Sequence, residues 1–362
     1  MAKLLMITGL GSAIDLASDK KGAFYNTLEE FYKHWDRIDI ISPRVKSQLT
    51  GEKIIFGNTH IHISSWPLVL HPLFFLLKGT ELYKKYHFDL MTVQDYPPFY
   101  NGIGARLLWS KIKVPYILEI MHIPGYPKSA DIKEWFYKQY AKVFIRFIAK
   151  RASAVRVINK IEVPDFLTKY GVPKRKLRYI PAFYIDLNVF KTLNLEKKHD
   201  LIFVGRLEKN KGLDILLEIA HKSDLKILIV GSGPLMGYID DTIQNHKLVN
   251  VKRFGFAKDS TEIAELINES RALIMPSYNE GGPRVILEAL ACGVPVIATR
   301  VGIVSDVINQ SNGRIINWSA DEAINAFSEI KNIKPAENLI QFERVSAIKN
   351  YADELKTLIG NA

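Results

Sequence analysis

The stretch NEGGPRVILEALACGVPVIAT (Asn279–Thr299) decides how this chain is read. Glu280 and Glu288 stand on either side of Gly281-Gly282-Pro283, and Glu288 falls inside an otherwise apolar run. The preceding ALIMPS reads as a strand that ends at Pro276-Ser277. Pro283 suits the first turn of a helix, where a missing N–H costs nothing. The helix then runs through Val285, Ile286, Leu287, Ala289 and Leu290 and closes at Gly293. Pro295 and the strand VIAT follow. Glu280, Gly281, Gly282, Pro283 and Arg284 therefore stand at a helix entrance beyond a strand end, where free N–H groups attract phosphate. Open parallel sheets bind ligands at that end of their strands. Glu288 lies about 7–8 Å farther along the helix axis. A carboxylate on an apolar helix is costly unless it finds donors. Sugar or ribose hydroxyls would serve, and so would a Lys or Arg paired with it for packing.

The chain has 362 residues, 48% hydrophobic and 24% charged, which suits a globular protein of two domains. Its single cysteine, Cys292, allows no internal disulfide and fits a reducing, cytoplasmic setting. MAKLLMITG is too short an apolar run for a secretory leader. The longest apolar run, Trp66 to Leu77, is broken by two prolines and a histidine, so no membrane span is expected. The net charge of +11 is uneven: residues 101–180 hold 17 Lys/Arg against 5 Asp/Glu, whereas residues 191–362 hold 21 against 22. An anionic partner for the first half follows: a membrane surface, a phosphorylated substrate or nucleic acid.

Short β-rich runs alternate with helical patterns, the signature of βαβ units. KLLMIT, RIDIIS, HIHIS, LMTVQ, YILEIM and AVRVIN are the strands read in the first half. LIFVG, KILIVG, VKRFGF, ALIMPS and PVIAT are those of the second. The fold class is α/β, with two doubly wound, Rossmann-like domains over 1–185 and 186–342. An amphipathic helix in 343–362 is expected to pack back on the first domain.

The pattern E-G-x-P-x-V-x-x-E-A-x-A-C-G-x-P-V-I-A-T resembles the E-x7-E signature of family 4 retaining glycosyltransferases of the GT-B fold. LIFVGRLEKNKGLDILLEIA supplies Gly205-Arg206-Leu207 and Lys211-Gly212 at the spacing of that family's G-R-L-x-x-x-K-G segment. Arg206 and Lys211 are two cations at a strand–helix turn, suited to a pyrophosphate without a metal. ILIVGSGP ends in a tight Gly231-Ser232-Gly233-Pro234 turn. The resemblance implies a base-binding loop at Phe254, Gly255 and Phe256, and a glycine-rich loop at Gly9-Leu10-Gly11 or Gly22, with Gly11 as a donor contact. It also implies that His122, in YILEIMHIPG, orients donor sugar and phosphate. Glu280 would position the sugar hydroxyls, Glu288 the ribose, and Arg206 and Lys211 the departing diphosphate. The two domains would face a cleft, the second holding a UDP- or GDP-sugar and the first a glycan or lipid-linked acceptor. The implied activity is retaining, metal-independent sugar transfer in cell-surface polysaccharide or glycolipid synthesis. The Gly-Gly pair usual after the first strand is absent, and IPAFYID stands where the family has I-P-N-G-V-D.

IKEWFYKQYAKVFIRFIAKR (132–151) puts Lys138, Lys142, Arg146 and Lys150 in one row, opposite Trp135, Phe136, Tyr140, Val143, Phe144 and Phe147. Either the aromatic face is core, or the helix lies on anionic lipid with help from Lys174, Arg175, Lys176 and Arg178. The second reading implies peripheral attachment to the inner face of the cytoplasmic membrane. Basic and aromatic residues also suit single-stranded nucleic acid, but no nucleic-acid-binding signature accompanies them. His60 and His62 share a strand face without a third ligand nearby in sequence, so no metal site is expected. The competing functions are a non-hydrolysing sugar-nucleotide epimerase, an NAD-dependent dehydrogenase built on ITGLGSAID, and a scaffold that kept the fold without catalysis. The dehydrogenase reading lacks the third glycine, because Ile14 stands there, and lacks an acidic ribose ligand.

Overall fold

A computed structural model describes residues 2–9, 12, 16, 22–44 and 51–360. These divide into two units. The first takes the described residues of 1–123, 137–182 and 345–362, and the second takes 124–136 and 183–344.

The first unit is built on an eight-stranded sheet. In chain order its strands are β1 (Lys3–Ile7), β2 (Arg37–Ser42), β3 (Gly51–Ile55), β4 (Thr59–Ile63), β5 (Leu90–Gln94), β6 (Tyr116–Glu119), β7 (Ala154–Val157) and β8 (Leu177–Tyr179). The spatial order is β3-β4-β2-β1-β5-β6-β7-β8. Only β3 runs antiparallel, as an edge strand on β4. The sequence reading missed β3 and β8. β8, Leu-Arg-Tyr, has no fully buried residue, so no apolar run marks it. Helices α1 (Ala23–Phe31), α2 (His71–Tyr86), α3 (Tyr100–Ile112), α4 (Ile132–Ala149) and α5 (Glu162–Lys169) connect the strands.

The second unit holds a six-stranded, wholly parallel sheet: β9 (His199–Val204), β10 (Ile227–Val230), β11 (Val251–Gly255), β12 (Ser270–Met275), β13 (Val296–Thr299) and β14 (Gly313–Ile316). Their order is β11-β10-β9-β12-β13-β14. β14 was also missed, because Arg314 interrupts GRII. The helices are α6 (Leu213–Lys222), α7 (Met236–Asn245), α8 (Ser260–Asn268), α9 (Arg284–Ala291), α10 (Val304–Val307) and α11 (Ala320–Ile330). β10 and β13 are buried end to end, as expected when helices cover both faces of a parallel sheet. Two helix starts are fixed by side chains. Asp259 accepts the N–H of Glu262 at 2.9 Å, and the Glu262 carboxylate accepts that of Lys258 at 2.7 Å. Ser319 accepts from Glu322 N at 3.3 Å.

A final helix, α12 (Arg344–Lys356), is the amphipathic segment expected from the sequence. From residue 345 onward it belongs to the first unit. Its Tyr351 stacks on Phe31 with centroids 4.9 Å apart and donates its hydroxyl to Glu119 Oε1 at 2.5 Å. The same oxygen takes Arg156 Nη1 at 2.8 Å, and the guanidinium lies 3.8 Å from the Tyr351 ring centre. Arg156 also donates to the carbonyls of Ile180 at 3.0 Å and Pro181 at 2.7 Å. All three side chains are buried, so these bonds act inside a low dielectric, while Glu119 Oε2, also buried, has no hydrogen-bond partner among the described residues. Arg156→Ala leaves Glu119 buried without its cation and is expected to cost about 3–5 kcal/mol. Urea denaturation with an unchanged m-value checks this, and a loss below about 1 kcal/mol would show that the network carries little.

Candidate active site

In the second sheet the chain leaves β9 toward β10 and β11 on one side, and β12 leads to β13 and β14 on the other. The crossovers diverge between β9 and β12, the place where open parallel sheets bind ligands beyond the carboxyl ends of their strands. The loop after β9 brings Gly205, Arg206 and Lys211, and the loop after β12 brings Ser277 to Pro283.

These loops are joined by charge. The Lys211 ammonium pairs with Glu280 Oε1, and Ser277 Oγ donates to the same oxygen at 3.1 Å. The two side chains are only 15% and 12% exposed, so water screens the pair weakly. The backbone beneath is fixed: Tyr278 N donates to Asn210 O at 2.8 Å, while Thr299 Oγ1 and Trp318 Nε1 hold Ser277 O at 2.5 and 2.9 Å. Gly212, at φ +66, passes so close to β12 that an added Cβ would stand 2.0 Å from Pro276 O. Only glycine allows Lys211 to approach from that side.

Arg206 behaves differently. It is 73% exposed and pairs with its neighbour Glu208 at 2.8 Å rather than with Glu280. Gly231, at φ +139, has the Gly205 carbonyl where its Cβ would be, at 1.9 Å, and its N–H donates to Gly255 O. Three predicted glycines from adjacent strand ends thus touch backbone to backbone. Beside them Phe254 and Phe256 are exposed, Phe256 at 79%. Gly281 and Gly282 lie in the loop before α9, and the Gly281 carbonyl faces Gly302, where an added Cβ would stand 2.5 Å away.

The expectation for Pro283 needs a small correction. It is the residue before α9, at φ −68 and ψ 98, because extended backbone is required there before Arg284 begins the helix. Glu288 is buried on α9 and takes Arg284 Nε at 2.8 Å. Burial pushes the Glu288 carboxyl above its ordinary range, and Arg284 offsets part of this. The cation-pairing alternative from the sequence is therefore realised, with a half-exposed arginine one turn back rather than a buried one. His122 follows β6 in the first unit and is half-buried. Gly11 lies outside the described residues.

Sequence reasoning missed a strap, residues 124–136, that belongs to the second unit. Asn279 is buried and donates Nδ2 to Lys128 O at 3.0 Å and to Glu134 Oε2 at 2.8 Å. The Lys128 ammonium lies 4.7 Å from the Tyr278 ring centre and 4.8 Å from that of Trp318. Tyr278 OH donates to Asp214 Oδ2 at 2.5 Å. Both residues preceding Glu280 are therefore gripped by side chains far away in sequence, a signal no local motif carries.

Residues 185–344 match the family model described as Glycosyl transferases group 1. The matched residues fall within the second unit. The chain is 33% identical over 216 residues to an uncharacterized glycosyltransferase, MJ1178, of Methanocaldococcus jannaschii, a match that spans 60% of this chain and 58% of that protein. It is 26% identical to an uncharacterized 41.2 kDa protein in the cps region of Klebsiella pneumoniae, over 85% of this chain and 86% of that one. Solved structures similar along nearly the whole chain include sucrose-phosphate synthase from Thermosynechococcus elongatus, at TM-score 0.72 and 18% identity, covering 99% of this chain and 95% of that one. Another is Anabaena Alr3699/HepE in complex with UDP, at TM-score 0.70 and 17% identity, covering 99% and 100%. The fold is GT-B. The comparisons give no support to the epimerase reading.

The raised Glu288 has a consequence for stability. Its charged form is disfavoured by folding, so its contribution is present at low pH and is lost as pH rises through its raised pKa, above the ordinary 4.5. Glu288→Gln stays neutral. Its melting temperature relative to the parent is expected to rise between pH 4.5 and 8, and a difference that stays flat or falls would mean that Arg284 fully compensates the charge.

Proposed function

We propose that this chain is a retaining glycosyltransferase that moves a sugar from a nucleotide-diphosphate donor, a UDP-sugar first and a GDP-sugar second, to a glycan or lipid-linked acceptor. The observation that carries this reading is the Lys211–Glu280–Ser277 cluster at the β9/β12 divergence, with the Gly205, Gly231 and Gly255 backbones beside it. A diphosphate entering there exchanges the Glu280 carboxylate for its own oxygens on Lys211 and recruits the exposed Arg206. Glu280, released, accepts sugar hydroxyls. Glu288 and Arg284 serve the ribose end, and Phe254 and Phe256 flank the base.

Retention fits a front-face reaction in which the departing phosphate takes the acceptor proton, so no separate general base is required. Two cations balance the diphosphate without a resident metal. HepE, solved with UDP and with UDP-glucose, supports the choice of nucleotide, and the similar fold of the lipopolysaccharide outer core galactosyltransferase WaaB supports a surface glycan as the product class. The switch point of the first sheet, between β1 and β5, suits an acceptor: a cavity of about 120 Å³ there is lined by Thr8, Gly9, Asp95, Tyr96, Tyr100 and Asn101, among others.

Docking on an anionic membrane belongs to the same reading. The fully buried side of α4 is Ala141, Ile145, Ile148 and Ala149, with Tyr140 stacked on buried Phe99 beside it. Ile132, Phe136, Val143 and Phe147 stay exposed, Val143 at 72%, in company with the basic residues of that helix. Each basic residue near such a surface contributes about 1 kcal/mol. Among the described residues no helix is long and apolar enough to cross a membrane.

Three outcomes are expected. A thermal-shift screen should register UDP or a UDP-sugar, with about 2.7 kcal/mol of stabilisation at 100 times the dissociation constant. Lys211→Ala should abolish that shift, and Glu280→Gln should lower kcat by about 10²-fold or more. Product NMR should show the anomeric configuration of the donor, at a rate unchanged in EDTA. An inverted product, or activity lost to EDTA and restored by magnesium or manganese, would contradict the mechanism. Separately, Val143→Glu/Phe147→Glu should release the protein from anionic vesicles without changing UDP binding, and undiminished sedimentation with vesicles would exclude this face.

A further inference from the structure

At the opposite end of the second sheet lies a cavity of about 670 Å³. It opens where β12 and β13 begin, beside Asn268, Arg271 and Pro295, whereas the proposed donor residues follow the strands' far ends. Four cations line it: Lys197, Arg271, Lys331 and Lys334. Among the described residues no carboxylate lines it. Like charges gathered on one concave wall repel one another, so the arrangement costs free energy unless an anion joins them. The effect is visible at Lys197, held below the ordinary lysine range by burial first and also by the charges of Arg271 and Lys334, against a raising effect from Cys292.

The wall is built, not incidental. Lys197 Nζ donates to Asn268 O at 2.7 Å and Ser270 O at 2.9 Å, which fixes the ammonium and leaves one donor free. Buried Asn268 ties the 191–197 segment to α8: its Oδ1 accepts Leu193 N at 2.7 Å, and its Nδ2 donates to Lys191 O at 3.1 Å and Ala264 O at 2.9 Å. Among the described residues Arg271 has only a loose pair, 3.5 Å from Asp200, so its planar fork can turn to a ligand. Lys331 caps the end of α11. The C-terminal ends of α8, α9 and α11 all meet the cavity, at Asn268, Cys292 and Lys331, and their partial negative charges, about half an elementary charge each, oppose an anion here, but four full positive charges outweigh them.

We propose that this cavity is a second ligand site, separate from the donor site, and that it binds a small phosphate-bearing metabolite of sugar-phosphate size. The volume falls within the roughly 300–1,000 Å³ of small-molecule sites. The guanidinium and ammonium groups suit phosphate oxygens, while Thr192, Asn194 and Asn332 on the same lining suit hydroxyls. The inference does not depend on sugar transfer.

The test is calorimetric titration of inorganic pyrophosphate into the full chain carrying Arg206→Ala/Lys211→Ala, which disables the proposed donor contacts. One binding event per chain is expected to remain. Adding Arg271→Gln/Lys334→Gln should weaken it at least tenfold without lowering the melting temperature. Should that variant fold poorly, Lys331→Gln/Lys334→Gln, at two exposed positions, should weaken binding in the same direction. Absence of binding in the starting variant, or affinity indifferent to the cavity charges, would overturn the proposal.

Discussion

The ion pair between Lys211 and Glu280 is the constraint on which the rest of the site depends. It ties the loop after β9 to the loop after β12 at the one place where the crossovers part. The two side chains are mostly buried, so removing one partner leaves the other charge partly desolvated. The surroundings are arranged around that fact: Gly212 lacks a side chain so that Lys211 can arrive, Ser277 donates to the same carboxylate, and Thr299 and Trp318 hold the Ser277 carbonyl. A lysine already bound to a carboxylate is positioned and desolvated before any phosphate enters, so little reorganisation is left for the moment of binding.

Both glutamates of the opening stretch are compensated in this way, by different means. Glu280 takes a lysine from another loop, whereas Glu288 takes an arginine from its own helix and still titrates high. A buried carboxylate with partial compensation lowers stability, and such features gather where binding requires them. The cavity at the other end of the sheet repeats the pattern with the sign reversed: cations stand together there without a carboxylate on the lining.

The legible part of the fold was the part written in long apolar runs. LIFVG, KILIVG and PVIAT lie on strands buried on both faces, and a short, β-branched apolar run flanked by glycine or proline identifies such segments. GEKII, LRY and GRII are edge or polar-interrupted strands whose register comes from pairing, so nothing local announces them. The site divided in the same manner. Gly212 and Gly231 were findable because a turn beside a strand demands glycine. Asn279, Lys128 and Glu134 were not, because their bonds join residues about 150 positions apart. On α4 the aromatic residues drew attention, yet the row divides: Ala141, Ile145 and Ile148 are the buried contacts, Tyr140 stacks on buried Phe99, and Phe136, Val143 and Phe147 face solvent.

The most direct test of the account is a crystal structure of the chain soaked with a UDP-sugar. The account predicts diphosphate density within hydrogen-bond distance of Lys211 and Arg206, with the Glu280 carboxylate turned from the lysine to the sugar hydroxyls. Nucleotide density elsewhere, with the Lys211–Glu280 pair intact and Arg206 still on Glu208, would contradict it.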